Sequence, residues 1–317
     1  MAVPGNTQQT FATIGNREDL ENAIYKVAAN KTPFTSNIGK DSVTATYHEW
    51  QTFTLRTPNP NNAQIQGDTT ANTAPKVTVR PGNRTQIFKE QGSVSGTQEA
   101  VDHAGVASEL AWQKVQKGEE VATDIEARFL GNYASVAGAA GTAAESAGAL
   151  AWMTSNVSRG AGGASGGYSA GVVTAATNGT QRAFTEALLK VVLASSFSNG
   201  ARPSQIYMGA THKQQFSAFT GIAQIRKDVP GQSQATIIGG ADVYVSDFGT
   251  LTTVPVQYGL TRDVLLVDPS MWAVGTLRPM KSENLAKVGD AQQFQIIAEK
   301  TLISRNERGS AVIADLT

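Results

Sequence analysis

Three histidines are the side chains best suited to holding a metal ion or acting as a general base: His48, His103 and His212. His48-Glu49-Trp50 begins like a zinc-protease helix, but no second histidine follows four residues later and the stretch alternates like a strand. Asp102 and His103 lie in a helical pattern, where adjacent residues do not face each other. We therefore expect no catalytic residue, no metal site and no cofactor.

Ser165 lies in a pattern that a nucleophilic hydrolase would use. Gly163-Ala164-Ser165-Gly166-Gly167 matches G-x-S-x-G, a motif that needs a buried strand before it and a helix after it. Both flanks are rich in Gly, Ala and Ser, so a match is expected by chance. No Gly-Lys pair is followed by Ser or Thr, and no G-x-G-x-x-G follows a strand, so no phosphate loop is predicted.

The overall charge gives the protein no net field. Lys plus Arg number 26 and Asp plus Glu number 26, so nothing indicates a global grip on nucleic acid or an anionic membrane. Charged residues make up only 16% of the chain, below the roughly 25% of ordinary soluble domains. Such a surface is easier to bury against copies of itself, although a merely Thr-, Gln- and Asn-rich surface explains the composition equally well.

The sequence shows no signal peptide and no membrane-spanning segment, so we expect a soluble, unsecreted protein. Cysteine is absent, which excludes disulfides and thiolate metal sites and fits a reducing cytosol. Residues 1–10 contain no basic residue and no apolar run, unlike a signal peptide. The most apolar helical segment, 188–194, is interrupted by Lys190 and is too short to span a bilayer.

The front of the chain reads as a short helix followed by a long hairpin. Residues 16–29 have a helical apolar stripe that cannot bury itself alone. Residues 43–55 and 76–91 alternate like strands around a polar stretch. At about 3.3 Å per residue the first strand alone would reach ~43 Å, against a radius of gyration of ~20 Å for a compact chain of this length. The hairpin would project, unless it folds back onto the body.

The rest of the chain reads as a long helix, a Gly-rich segment and an α/β region. Residues 97–132 predict one helix of ~50 Å, with an apolar stripe of mostly small residues: Ala104, Ala107, Ala111, Val115, Gly118, Ala122, Ile125 and Phe129. Residues 134–171 read as a flexible surface segment anchored near Trp152. Further strands and helices follow from residue 180, ending with a strand at 294–304 that is apolar on both faces.

The order of these elements resembles the major capsid proteins of tailed bacteriophages with the Hong Kong 97-type fold. The likeness is strongest to a subgroup whose extended loop opens with a His-Glu-Trp stretch, here His48-Glu49-Trp50. It covers roughly residues 20–317, and further matching segments are Gly148 to Trp152, Asn199-Gly200, Val243 to Gly249, Asp268-Pro269, Leu277-Arg278-Pro279, Gly289-Asp290 and Glu299 to Glu307.

The resemblance implies an α+β fold with six parts. They are an N-terminal arm at 1–42, an extended loop at 43–96, a peripheral domain at 97–150 with the long helix as its spine, a Gly/Ser-rich connector at 151–171, an axial domain at 172–261 and further peripheral strands at 262–317. It also implies contacts with neighbouring subunits. In the extended loop these would be Tyr47, Trp50, Phe53, Leu55, Arg56, Ile65, Ile87 and Lys89, and in the N-terminal arm Leu20, Ile24 and Val27.

The implied function is structural and not enzymatic. Subunits would form pentamers and hexamers of an icosahedral head around double-stranded DNA, without sequence-specific contacts to it. A separate scaffolding protein, a portal and a possible decoration protein would be partners, with assembly in the host cytoplasm. Three alternatives stay open: a nanocompartment shell of the same fold, an extended tail or surface protein, and a monomeric hydrolase using Ser165.

Overall fold

A computed structural model of the protein describes residues 32–67, 69, 74–219, 242–287 and 289–317. The helix predicted for residues 16–29, with Leu20, Ile24 and Val27, lies outside this range. The first described element is a short helix, α1 (Pro33–Asn37), which begins where the sequence predicts the preceding helix to stop. Among the described residues, no helix is long and apolar enough to cross a membrane.

One sheet has four strands. Their order is β1 (Gly39–Ser42), β12 (Trp272–Asn284), β13 (Ala291–Ser304) and β4 (Gln86–Ser95). β1 runs parallel to β12, and the other neighbours are antiparallel. β13 is apolar on both faces: Phe294 belongs to the main core cluster, and Ile303 packs in a second cluster with Val43. The prediction of a last strand covered on both sides is therefore confirmed.

The long helix is shorter than predicted. The stretch expected as one helix over 97–132 contains α2 (Gly96–Ala100), a non-helical segment, and α3 (Glu109–Leu130). Ser108 ends the break because its hydroxyl oxygen accepts a hydrogen bond from the Ala111 N–H at 3.2 Å, which caps α3. The local pattern of small residues continued across this cap and concealed it.

The predicted stripe of α3 is correct only in its second half. Ile125 and Phe129 are buried against the four-stranded sheet, but Val115 is exposed, as are Ala107 before the helix and Ala111 within it. Long lysine side chains take part in covering the sheet there. The Lys114 ammonium lies 5.6 Å from the Phe294 ring centroid, and the Lys117 ammonium pairs with Glu90 at 3.3 Å.

The second sheet has six strands. Their order is β5 (Val157–Ser158), β14 (Ala311–Ile313), β11 (Val264–Val267), β8 (Gln205–Met208), β10 (Gly249–Pro255) and β9 (Val243–Ser246). Helices α5 (Glu186–Ser198) and α6 (Ala210–Ser217) belong to the same part of the chain, and their buried faces share a core cluster with β8 and β11. The predicted peripheral strands at 262–317 are therefore divided, because β11 and β14 join this second sheet.

The Gly-rich segment (residues 134–171) is anchored at the predicted apolar island, where Leu150, Trp152 and Met153 are buried, whereas residues 137–143 are exposed. It contains α4 (Ala149–Trp152), which is wholly buried, and a small hairpin of β6 (Gly167–Ser169) and β7 (Val172–Thr174). Its glycines permit close backbone approach: a Cβ on Gly148 would lie 2.1 Å from the Gly131 carbonyl oxygen, and one on Gly160 would lie 2.0 Å from that of Thr180. At these two positions glycine is needed because a larger residue would clash with the neighbouring backbone.

Candidate assembly surface

The extended loop (residues 43–96) is paired only at its base. β2 (Tyr47–Glu49) pairs with β3 (Gly82–Arg84) in antiparallel register, and one further bridge joins Thr52 and Val79. The continuous strands predicted for 43–55 and 76–91 are therefore wrong, since β2 ends at Glu49. β4 leaves the hairpin and pairs with β13 in the body of the protein.

Aromatic side chains attach this base to the Gly-rich segment. The Tyr47 and Tyr168 hydroxyls lie 3.2 Å apart, and the Tyr168 hydroxyl donates to the Arg80 carbonyl oxygen at 3.1 Å. The Trp50 ring packs on Trp152 with centroids 5.4 Å apart, and Trp152 stacks on Tyr168 at 6.0 Å. Burial and the hydrogen bond to Tyr168 raise the pKa of Tyr47 to about 12, so the Tyr47 phenol is neutral at ordinary pH.

The distal part of the loop is the segment beyond the Thr52–Val79 bridge, of which residues 53–67, 69 and 74–78 are described. It exposes apolar side chains. Leu55 is 80% exposed and Ile65 is 79% exposed. The Phe53 ring is half exposed, and the Lys76 ammonium lies 5.9 Å from its centroid. Because large aliphatic groups exposed along one segment favour association, this segment is the strongest candidate for a contact between subunits.

The predicted contact residues thus fall into two groups. Tyr47 and Trp50 have partners within the chain. Exposed side chains are found at the other six positions: Phe53, Leu55, Arg56, Ile65, Ile87 and Lys89. Arg56 donates to its neighbouring Thr57 carbonyl oxygen, whereas Ile87 and Lys89 project from the outer face of β4.

Two further groups of exposed apolar residues were not predicted as contacts. Val77 and Val79 lie on the returning side of the loop, and their place in the alternating pattern opposite residues 43–55 could have identified them. Val243 and Val245 project from β9, the edge strand of the six-stranded sheet. Sequence pattern gave no signal for that edge, because alternation does not reveal which strand ends a sheet.

The side chains considered for catalysis are dispersed in the fold. Ser165 is followed by β6 and not by a helix, and its hydroxyl oxygen accepts a bond from Arg159. His212 is buried, which lowers its pKa, whereas the His103 ring lies 3.1 Å from the Gln98 side-chain amide. Throughout the part of the chain that the structure describes, no three His, Cys, Asp or Glu residues converge as a metal site.

The described residues form a body of two sheets, from which a loop with exposed apolar side chains extends. Comparison with known proteins identifies the family of the chain. The model of the SU10 major capsid protein family matches residues 4–317. The chain therefore belongs to the SU10 major capsid protein family, and it is a major capsid protein: a component of the icosahedral phage head shell.

Individual relatives agree with this assignment. The chain is 24% identical over 339 residues to the major capsid protein of Escherichia phage Phieco32, and the match covers 94% of each protein. The solved capsid of Cyanophage A-1(L) resembles its fold with a TM-score of 0.67, 11% identity and 98% of both chains covered. Mycobacterium phage Adephagia gives a TM-score of 0.61, 10% identity and the same coverage. The fold is of the Hong Kong 97 type, as the resemblance implied.

Proposed function

We propose that this subunit closes into pentamers and hexamers by laying its extended loop on the adjacent copy. The observation that carries the proposal is the exposure of Phe53, Leu55 and Ile65 on a segment whose base is fixed to the body. The base sets the direction of the loop, and the apolar distal part supplies the surface to be buried.

The free energy gained by burying the loop on a neighbour is large enough to hold two subunits together. Burying several hundred Å² of apolar surface at ~25 cal/mol per Å² gives a gross stabilisation on the order of 10 kcal/mol. Ordering the loop and fixing two subunits offset much of that energy. Weak contacts that repeat around a closed shell still produce a stable assembly, and they allow wrongly placed subunits to dissociate.

Other parts of the chain have proposed roles that follow from the family. Residues 1–42 act as an arm, with Leu20, Ile24 and Val27 as its contacts to a neighbour. The peripheral domain at 97–150 carries the spine helix α3, and the axial domain at 172–261 lies at the centre of each ring. Assembly takes place in the host cytoplasm with a separate scaffolding protein and a portal, and a decoration protein is a possible partner. The shell encloses double-stranded DNA, and the subunit is not an enzyme.

The test is assembly of the full-length protein with and without one distal side chain. Ile65→Ser removes an exposed apolar group, whereas Gln64→Ser is the matched control at the adjacent exposed position. We expect Ile65→Ser to raise the protein concentration needed for rings or shells at least about threefold, the effect of roughly 0.7 kcal/mol per contact. Sedimentation velocity and negative-stain microscopy measure this.

The free energy of unfolding separates assembly from folding. Ile65→Ser should leave it unchanged within ~0.5 kcal/mol, as for other exposed positions. Equal assembly of wild type, Ile65→Ser and Gln64→Ser would contradict the proposed loop contact.

A further inference from the structure

A cleft of about 200 Å³ opens where α1, β1, α3, β12 and β13 meet. Two lysines line it, Lys40 from β1 and Lys300 from β13. Hydroxyl groups from Thr35, Ser36 and Thr276 line the same space, and the α3 side is apolar. Two cations lining one small cleft repel each other, and an anion bound between them would relieve that repulsion.

Lys300 occupies a position where a cation is costly. On β13 it lies on the same face as Ile296, Ala298 and Leu302, which are buried in the main core cluster with α3. Burial lowers the pKa of Lys300, and the positive charge of Lys40 lowers it further. Both causes penalise the ammonium form, which means that negative charge is deficient around this side chain.

Within the described part of the chain, the nearby carboxylates do not supply that charge. The two Glu126 oxygens accept the backbone N–H groups of Phe34 and Thr35 at 2.7 and 2.8 Å. Asp41, next to Lys40, pairs with Arg305 at 2.9 Å. Among the described residues, neither Lys40 nor Lys300 forms an ion pair, whereas other lysines that contact this sheet do, including Lys117 with Glu90 and Lys281 with Glu283.

Glu299, the neighbour of Lys300, is also committed elsewhere. It lies on the opposite face of β13, where it pairs with Arg278 at 2.7 Å and accepts a hydrogen bond from Thr85. Thr276 pairs with Lys300 across the β12–β13 ladder, and both residues line the cleft. As far as the described residues line it, the cleft therefore combines two cations and hydroxyl donors without a carboxylate.

We propose that this cleft binds a phosphate group, with Lys300 and Lys40 as its charged contacts and Thr276 as a hydroxyl donor. Donors converge on the cleft from several strands. A tetrahedral oxyanion has enough oxygens to accept hydrogen bonds from all of them, whereas a carboxylate or a halide ligand would accept fewer. The phosphate is either free in solution or part of a polynucleotide backbone. In both cases it neutralises a charge that the fold places under α3.

Calorimetric titration of the full-length protein with inorganic phosphate tests the site, with sodium chloride at equal ionic strength as the salt control. We expect saturable binding to wild type that weakens by about tenfold or more in Lys300→Met, because a charged hydrogen-bonding contact is lost. Lys89→Met is the matched control, since Lys89 is exposed on β4 of the same sheet. It should bind phosphate as wild type does.

Thermal unfolding distinguishes a phosphate-binding lysine from one that only stabilises the fold. Without phosphate, Lys300→Met should unfold at the same or a higher temperature than wild type, because methionine removes an uncompensated charge. Phosphate should raise the melting temperature of wild type but not of Lys300→Met. No saturable binding to wild type, or equal binding to Lys300→Met, would overturn the proposal, as would a lower melting temperature of that variant without phosphate.

Competition identifies the source of the phosphate. A short single-stranded oligonucleotide without terminal phosphates is added to the phosphate-loaded protein. If it displaces phosphate from wild type with the same dependence on Lys300, the cleft accepts a phosphodiester. If phosphate stays bound, the ligand is the free oxyanion; both results support the site.

Discussion

The base and the distal part of the extended loop differ in how their large side chains are surrounded: those of the base are packed within the chain, and those of the distal part are exposed. At the base, Tyr47 and Trp50 pack against the Gly-rich segment, and Glu49 pairs with Arg80 at 3.1 Å. In the distal part, Leu55 and Ile65 are exposed. A single hairpin thus contains a region that packs within its own chain and a region whose apolar side chains are exposed in the subunit.

This difference separates folding from assembly. Substitutions at the base should change the stability and direction of the loop in the isolated subunit. Substitutions of Leu55 or Ile65 should change the association of subunits and not the stability of the subunit, because these side chains are 80% and 79% exposed. The following variants test that separation, beginning with the largest expected change in the free energy of unfolding.

Trp152→Ala should destabilise the subunit most. Trp152 is 3% exposed and packs on both Trp50 and Tyr168. Removing a buried aromatic ring leaves a cavity and should cost about 3–5 kcal/mol of unfolding free energy, measured by urea denaturation. Leu55→Ala is the control and should change it by less than ~0.5 kcal/mol. Similar losses in the two variants would show that base and distal part are not distinct.

Gly82→Ala should cause the second largest loss of unfolding free energy. A Cβ at this position would lie 2.7 Å from the Tyr47 ring and 2.9 Å from the Glu49 side chain. The two side chains must move, and we expect a loss of about 1–3 kcal/mol from overpacking, again by urea denaturation. Asn62→Ala, in the exposed distal part, should have no measurable effect. A neutral Gly82→Ala would mean that the base is loosely packed.

Tyr47→Phe should cost about 1 kcal/mol, since it removes one hydrogen bond but keeps the ring. Tyr168→Phe should be somewhat more costly, because the Tyr168 hydroxyl also bonds the Arg80 carbonyl oxygen. A double-mutant cycle measures the coupling between the two hydroxyls. Strict additivity would indicate that they do not interact.

Alkaline titration should give the smallest change. Tyr47 has a pKa of about 12 in the folded protein, above its ordinary value of 10.0. Because the folded state favours the neutral phenol, its stabilising contribution is complete below pH 10 and is lost as the pH rises toward 12. The stability advantage of wild type over Tyr47→Phe should therefore decline across that interval. If the difference in unfolding free energy between wild type and Tyr47→Phe stayed constant from pH 10 to 12, ionisation of the Tyr47 phenol could not be the cause of the pH dependence.

The sequence predicted local features well where one pattern dominated. β13, with apolar residues on both faces, lies where the sequence predicts a strand, and the described residues 56–67 of the polar stretch form no strand. The order of motifs predicted the family and the fold, because a long series of segments retains their arrangement after individual positions have changed. The exposed contact residues Leu55 and Ile65 were also predicted, although their binding to a neighbour remains a proposal.

Other features depended on contacts between distant segments. The pattern of small residues predicted one helix over 97–132, but the Ser108 cap divides it and lysine side chains replace part of the expected stripe. Residues 262–317 were predicted as one group of strands, yet β11 and β14 pair in the second sheet. Strand partners are chosen by tertiary contacts, which periodicity does not encode.

By itself, the sequence determined which segments are apolar, which are polar and in what order they follow, because these properties belong to each residue and its near neighbours. Only the tertiary structure decided that Tyr47 and Trp50 belong to the base while Leu55 is left exposed, and that Lys300 faces Lys40 across a cleft. Burial depends on what the rest of the chain brings to a side chain, and the residues involved are often more than a hundred positions away.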